Sequence, residues 1–172
     1  MKKHIDVTAI IAQRLSKLPK KINLFHSSDV LTEGILWEFS HEMCFHLSSI
    51  AYFVYNPDFH ICKGIAGLLK KDLGDWCSEP WNDMESFEEK TLQSPFNVLV
   101  KKTLFSTHPG QKLADIIEKI KEQIDLPHEL SYTWNIKHDN IGILLYFPSE
   151  QTNTYSNEDI HDAVEFLTFC KL

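Results

Sequence analysis

The segment His41-Glu42-Met43-Cys44-Phe45-His46 gathers two imidazoles, a carboxylate and a thiol within one short stretch. A zinc-hydrolase helix needs its histidines four apart, so that both reach the metal from one face while the glutamate serves as base. Here they stand five apart, roughly 140° around a helix axis, and the spacing fails that chemistry. A mixed set stays open. His41 and Cys44, at i and i+3, could join His60 and Cys62, at i and i+2 on one strand face, to bind zinc or to offer haem an axial ligand. Against it stands the simpler reading of the four cysteines, Cys44, Cys62, Cys77 and Cys170, none in a CxxC pair. In a reducing compartment such residues are small core side chains.

Nucleophilic catalysis finds no strand-to-helix Gly-x-Ser-x-Gly, and neither common glycine-rich phosphate loop occurs. Enzymatic activity is therefore not expected. Trp76, Trp81, Tyr132 and Trp134 could stack on a flat ligand, since aromatic groups with a polar handle line many pockets. The alternative is that they pack loops onto a sheet. Glu85, Glu88 and Glu89 read as a solvated acidic face.

These groups need elements to hold them, and the last third of the chain supplies the clearest ones. Residues 128–147 form two runs rich in β-branched and aromatic side chains around Asp139-Asn140, which tolerates the positive φ of a tight turn, so a hairpin is expected. Its second run, Ile141 to Phe147, is apolar on both faces and should be a central strand. Ser156 with Asp159 three residues on, ahead of Ile160, Val164 and Leu167, predicts a capped helix with one buried face. Earlier, Ser49–Tyr55, the turn Asn56-Pro57-Asp58 and residues 59–67 predict another hairpin.

Helices are expected over residues 6–18, ended by Pro19, from Ser28 or Asp29 to about Leu47, from Ser94-Pro95 to about Lys102, and over 111–124 before Pro127. Thr103–Ser106 suggests a short strand. Residues 67–89 look irregular, in the manner of a lid or packed loop.

With 172 residues, one well-buried core is the expected count. The division is an N-terminal amphipathic helix and linker over 1–27 and a main domain over 28–172. The helix could cover its own domain or pair with a second copy. A net charge of −7, with no Lys/Arg run longer than a pair, gives little reason to bind nucleic acid or anionic lipid directly. No apolar run approaches the ~20 residues of a membrane span, and Met-Lys-Lys is not followed by an apolar block, so a cytoplasmic protein is expected.

In this order the chain resembles a GAF domain. The likeness is carried by three segments: Cys44-Phe-His-Leu-Ser through Tyr55-Asn-Pro-Asp to Lys63-Gly-Ile-Ala-Gly67; the hairpin from Ser131 to Phe147 with its Ile-Gly-aliphatic run; and Tyr155-Ser-Asn-Glu-Asp-Ile with Val164 and Leu167. Residues 67–130 depart most from the family pattern, and that region lines the family's pocket, so ligand and cofactor identity do not carry over.

The resemblance implies an α+β fold with a central antiparallel sheet of about five to six strands flanked by helices. It also implies a non-enzymatic sensory input domain that takes a small ligand or partner. Such a domain dimerises through its terminal helices and controls an output module, by preference that of a bacterial transcription regulator, with histidine kinases and cyclic-dinucleotide enzymes as other outputs. Pocket residues would come from Tyr52, Val54, Cys62, Trp76, Trp81, Tyr132 and Trp134. A ligand-free interaction scaffold with the same fold is the alternative, and a haem or metal sensor a third.

Overall fold

Strict alternation of side chains along Leu47–Asn56 (β1) decides the layering. Ile50, Tyr52 and Val54 enter one buried cluster, while Ala51, Phe53 and Tyr55 enter another. A strand apolar on both faces must be covered on both. In the computed structural model, which describes residues 7–74, 79–126, 129–149 and 155–170, it is. β1 pairs on one side with Ile61–Leu69 (β2) and on the other with Ile141–Pro148 (β5), both antiparallel. Leu104–Ser106 (β3) extends β2, and Leu130–Asn135 (β4) extends β5, giving one five-stranded antiparallel sheet in the order β3-β2-β1-β5-β4. The chain is thus α+β. The apolar run of β5 does occupy an interior position, between β1 and β4.

The first face is covered by Val7–Leu15 (α1), Leu18–Phe25 (α2), Leu31–Ser40 (α3) and, near the C-terminus, Asn157–Val164 (α7), which continues as a 3-10 turn to Phe169. Met84–Gln93 (α4) contributes Phe87 to the same cluster. Pro95–Lys102 (α5) and Leu113–Gln123 (α6) cover the other face through Phe96, Val100, Ile116, Ile117 and Ile120. α1 and α2 therefore share the core of the main domain: Ile11, Leu15, Leu18 and Ile22 are all buried in it. Among the described residues no helix is long and apolar enough to cross a membrane.

Local chemistry accounts for the element ends. Pro19 starts α2 instead of closing helical structure, because the first turn of a helix leaves its N–H groups unpaired and loses nothing to proline there. α3 stops at Ser40, short of the expected Leu47: His41 turns extended, and Phe45 folds back to donate its amide to the Phe39 carbonyl at 3.1 Å. Within 67–89, expected to be irregular, 3-10 turns form at Lys70–Leu73 and Pro80–Asn82, and Asp83 caps α4 by accepting from the Ser86 amide. The β4–β5 turn places positive φ at His138 and Asp139, one residue earlier than Asp139-Asn140. α7 carries the full capping box, with Ser156 and Asp159 bonding each other's amides.

Beyond Lys63, β2 has no strand partner on its outer side among the described residues, and α5 with its C-cap Thr103 takes that place. The Gly64 amide donates to the Thr103 carbonyl at 2.8 Å, and the Gly67 amide to Asn97 Oδ1 at 2.9 Å. Asn97 also donates to Glu33 Oε1 at 3.1 Å, and Lys101 Nζ lies 2.5 Å from the same oxygen, so a buried carboxylate of α3 is tied to α5. A buried charge survives only when paired and hydrogen-bonded in this way.

Candidate functional site

α3 delivers two aromatic groups one helical turn apart, Trp37 and His41, whose rings lie 5.1 Å apart and tilted by 59°. They form one wall of a cleft of about 490 Å3. Ser40 and Glu42 line it beside them, buried Leu68 near the end of β2 and Leu73 give it an apolar floor, and exposed Lys70, Lys71 and Gly74 lie at its rim. The size falls within the range of small-molecule pockets. The Ser40 hydroxyl is engaged, donating to the Leu36 carbonyl at 2.8 Å. His41 Nδ1 accepts from the Met43 amide at 3.1 Å, which leaves its other nitrogen to carry the proton of the neutral ring.

Burial, and then the Arg14 guanidinium, lower the His41 pKa below 6.5 against the opposing pull of Glu38, Glu42 and Glu79. A depressed histidine pKa means that the unfolded chain takes up the proton first as pH falls. Stability is therefore whole above pH 6.5 and drains away as pH drops from there through the lowered folded value. Urea unfolding midpoints should fall over that interval in the parent chain and fall less steeply in His41→Gln.

Behind the cleft wall lies an ionic cluster. Glu38, 2 % exposed, sits 2.6 Å from Arg14 Nε, pairs with Lys21 and accepts from Trp81 Nε1 at 2.6 Å. Glu79 meets the same two cations, Arg14 at 3.3 Å and Lys21 at 3.4 Å. Burial alone would raise the Glu79 carboxyl, but Lys21 and Arg14 outweigh it and hold it below the ordinary value. Arg14 also lies 5.6 Å from the Trp37 ring centre and Lys21 5.5 Å from that of Trp81, within reach of cation–π attraction. One cluster thus joins α1, α2, α3 and the Pro80–Asn82 turn.

The residues singled out from the sequence fall in three places. Tyr52, Val54, Tyr132 and Trp134 share the first sheet face. Tyr52 and Trp134 stack at 5.5 Å, and Tyr132 donates to or accepts from His161 Nδ1 at 3.0 Å. Trp134 lies across Gly142, where an added Cβ would come within 2.5 Å of the indole. This explains the glycine opening β5. Trp81 packs against α3 at Glu38, and Cys62 lies on the opposite sheet face. Trp76 and Cys77 lie outside the described residues.

The face bearing Tyr52 is filled by side chains. The Tyr52 hydroxyl is buried with no hydrogen-bond partner among the described residues, and burial, followed by Cys170, pushes its pKa up. Removing such a hydroxyl relieves a desolvation cost. Tyr52→Phe is expected to stabilise the fold by about 1 kcal/mol, read from chemical denaturation.

His41, Cys44, His60 and Cys62 are not brought together, since Cys44 is buried on one side of the sheet and Cys62 on the other. Among the described residues no group of three or more His, Cys, Asp or Glu side chains is placed to hold a metal ion. Burial raises the thiols of Cys44 and Cys62 to about 12 and that of Cys170 to about 11, far from a reactive thiolate.

Trp37, Ser40, Leu68, Lys70, Lys71, Leu73 and Gly74 carry no mark as site residues in the sequence, where Glu42 stands out only as the base of a zinc site and His41 only as a metal ligand. The signal was present in Trp37-x-x-x-His41, which helical spacing puts on one face, and in the lysine pair after β2. Compared with known proteins, the chain matches no family model, no curated protein and no solved structure.

Proposed function

We propose that the chain is a non-enzymatic, GAF-like regulatory domain that binds a small molecule in the cleft beside α3 and controls an output module. The observation that carries this reading is the cleft itself: an apolar floor, two aromatic groups and a few polar groups around about 490 Å3. The GAF-like part is supported by the order of elements, helix, hairpin, helices, hairpin and closing helix, around an antiparallel sheet. Both sheet faces are filled by side chains, which as regards a pocket against the sheet speaks for the ligand-free scaffold; the ligand reading rests instead on the cleft beside α3. A ligand held at Trp37 would bear on α1 through Arg14, and any output would be limited by its differential affinity for two positions of that helix. A thermal-shift screen of small metabolites tests this. A binder should raise the Tm of the parent chain by mass action and not that of Trp37→Ala; a library that leaves the parent unmoved defeats the reading.

A second reading, a scaffold that pairs with another copy through its terminal helices, is favoured by Leu24 on α2 and Phe169 on the closing 3-10 turn. They are 65 % and 67 % exposed on neighbouring elements. Sedimentation should then show a dimer that Leu24→Ser/Phe169→Ser converts to monomer, and a monomeric parent chain rules this reading out.

A further inference from the structure

The cleft is positively charged at its rim in a chain whose net charge is −7. Lys70 and Lys71 project from consecutive positions of an exposed 3-10 turn, and among the described residues neither is paired with a carboxylate. The acid between them and Gly74, Asp72, is turned away: its Oδ2 accepts from Ser94 Oγ at 2.8 Å and from the Phe96 amide at 3.1 Å at the start of α5. The ionic cluster behind the wall contains two cations and two carboxylates and is internally neutral. His41, its pKa lowered by burial and Arg14, adds no charge near neutral pH. Glu42 is the one acid among the lining residues. Two ammonium groups without a carboxylate partner among the described residues therefore border an apolar, aromatic hollow.

We infer that the cleft takes a small organic anion with a flat apolar body: a carboxylate, sulfonate or phosphate held by Lys70 and Lys71, its body set against Leu73 and the Trp37–His41 wall. This rests on the reading of the cleft as a ligand site and names the class of its ligand. Charge-assisted contacts to ammonium groups select the anion, and the apolar floor supplies sequence-independent affinity for the body. The lysines are exposed, so each contact is weakened by solvent.

The test uses the full chain with two fluorescent probes of similar shape, anilinonaphthalene sulfonate and the uncharged phenylnaphthylamine. The sulfonate should saturate a single site on the parent chain. Lys70→Gln/Lys71→Gln should weaken it about tenfold while leaving the neutral probe unchanged, and Glu42→Gln should tighten it. Circular dichroism and the Tm of these variants should match the parent, because all three positions are exposed. Equal binding of the two probes, or sulfonate binding indifferent to both lysines, overturns the ligand class while leaving a cleft that binds. Failure of both probes to saturate the parent chain instead removes the ligand site itself, and this proposal with it.

Discussion

Glu38→Ala is expected to lower the free energy of unfolding by about 3–5 kcal/mol. The carboxylate is 2 % exposed and holds Arg14, Lys21 and the Trp81 indole N–H together. Truncation leaves two partly buried cations with, among the described residues, Glu79 as their one remaining carboxylate, itself partly exposed and more distant, at 3.3 and 3.4 Å. The cost comes chiefly from these orphaned charges and less from the lost attraction, since burying the ion pairs was expensive in the first place. A consequence separates this account from simple loss of packing. Glu38→Ala combined with Arg14→Leu and Lys21→Met should recover much of the stability, whereas a packing defect would deepen. Urea denaturation of the single and triple variants decides between them. Amide exchange should locate the loosening in α1 and α2, the elements that the cluster pins to α3.

Gly64→Ala should cost about 3 kcal/mol or more. An added Cβ would stand 1.9 Å from the Val100 carbonyl oxygen and 2.8 Å from its carbon. Both atoms are backbone, so no side-chain rotation relieves the clash and α5 as a whole must retreat from the edge of β2. Retreat breaks the bond from the Gly64 amide to Thr103 and strains that from Gly67 to Asn97, exposing strand amides that α5 now satisfies. It would also draw Lys101 and Asn97 away from buried Glu33. The expected readout is a large fall in unfolding midpoint together with faster exchange of the Gly64 and Gly67 amides. A stable variant with unchanged exchange would mean that α5 does not seal this edge.

Stretches whose information is local are legible in the sequence. Ile141–Phe147, apolar at every position but Gly142, declared an interior strand, and Ser156 with Asp159 declared a helix start, because alternation and capping are settled within a few residues. The α+β architecture followed from two hairpins among amphipathic helices.

Where neighbours distant in the chain decide, local pattern is not enough. Pro19 has the form of a terminator yet lies in the first turn of α2, and α4 sits in an acidic stretch whose buried side consists of Phe87 and Thr91. Tyr52 and Trp134 have the composition of a pocket, yet they spend their surfaces on each other and on Gly142. Cys44 and Cys62 have the composition of a metal site, yet a sheet separates them.

The sequence by itself determined the two hairpins, the interior place of Ile141–Phe147 and the capped start of α7, since alternation and capping are properties of neighbours along the chain. Only the tertiary structure decided that the cleft lies at the end of α3, that Asp72 bonds to the start of α5 while Lys70 and Lys71 line the cleft, and that Glu38 is buried among cations. A cavity and the charge around it are differences between packed elements far apart in sequence, and no single segment carries them.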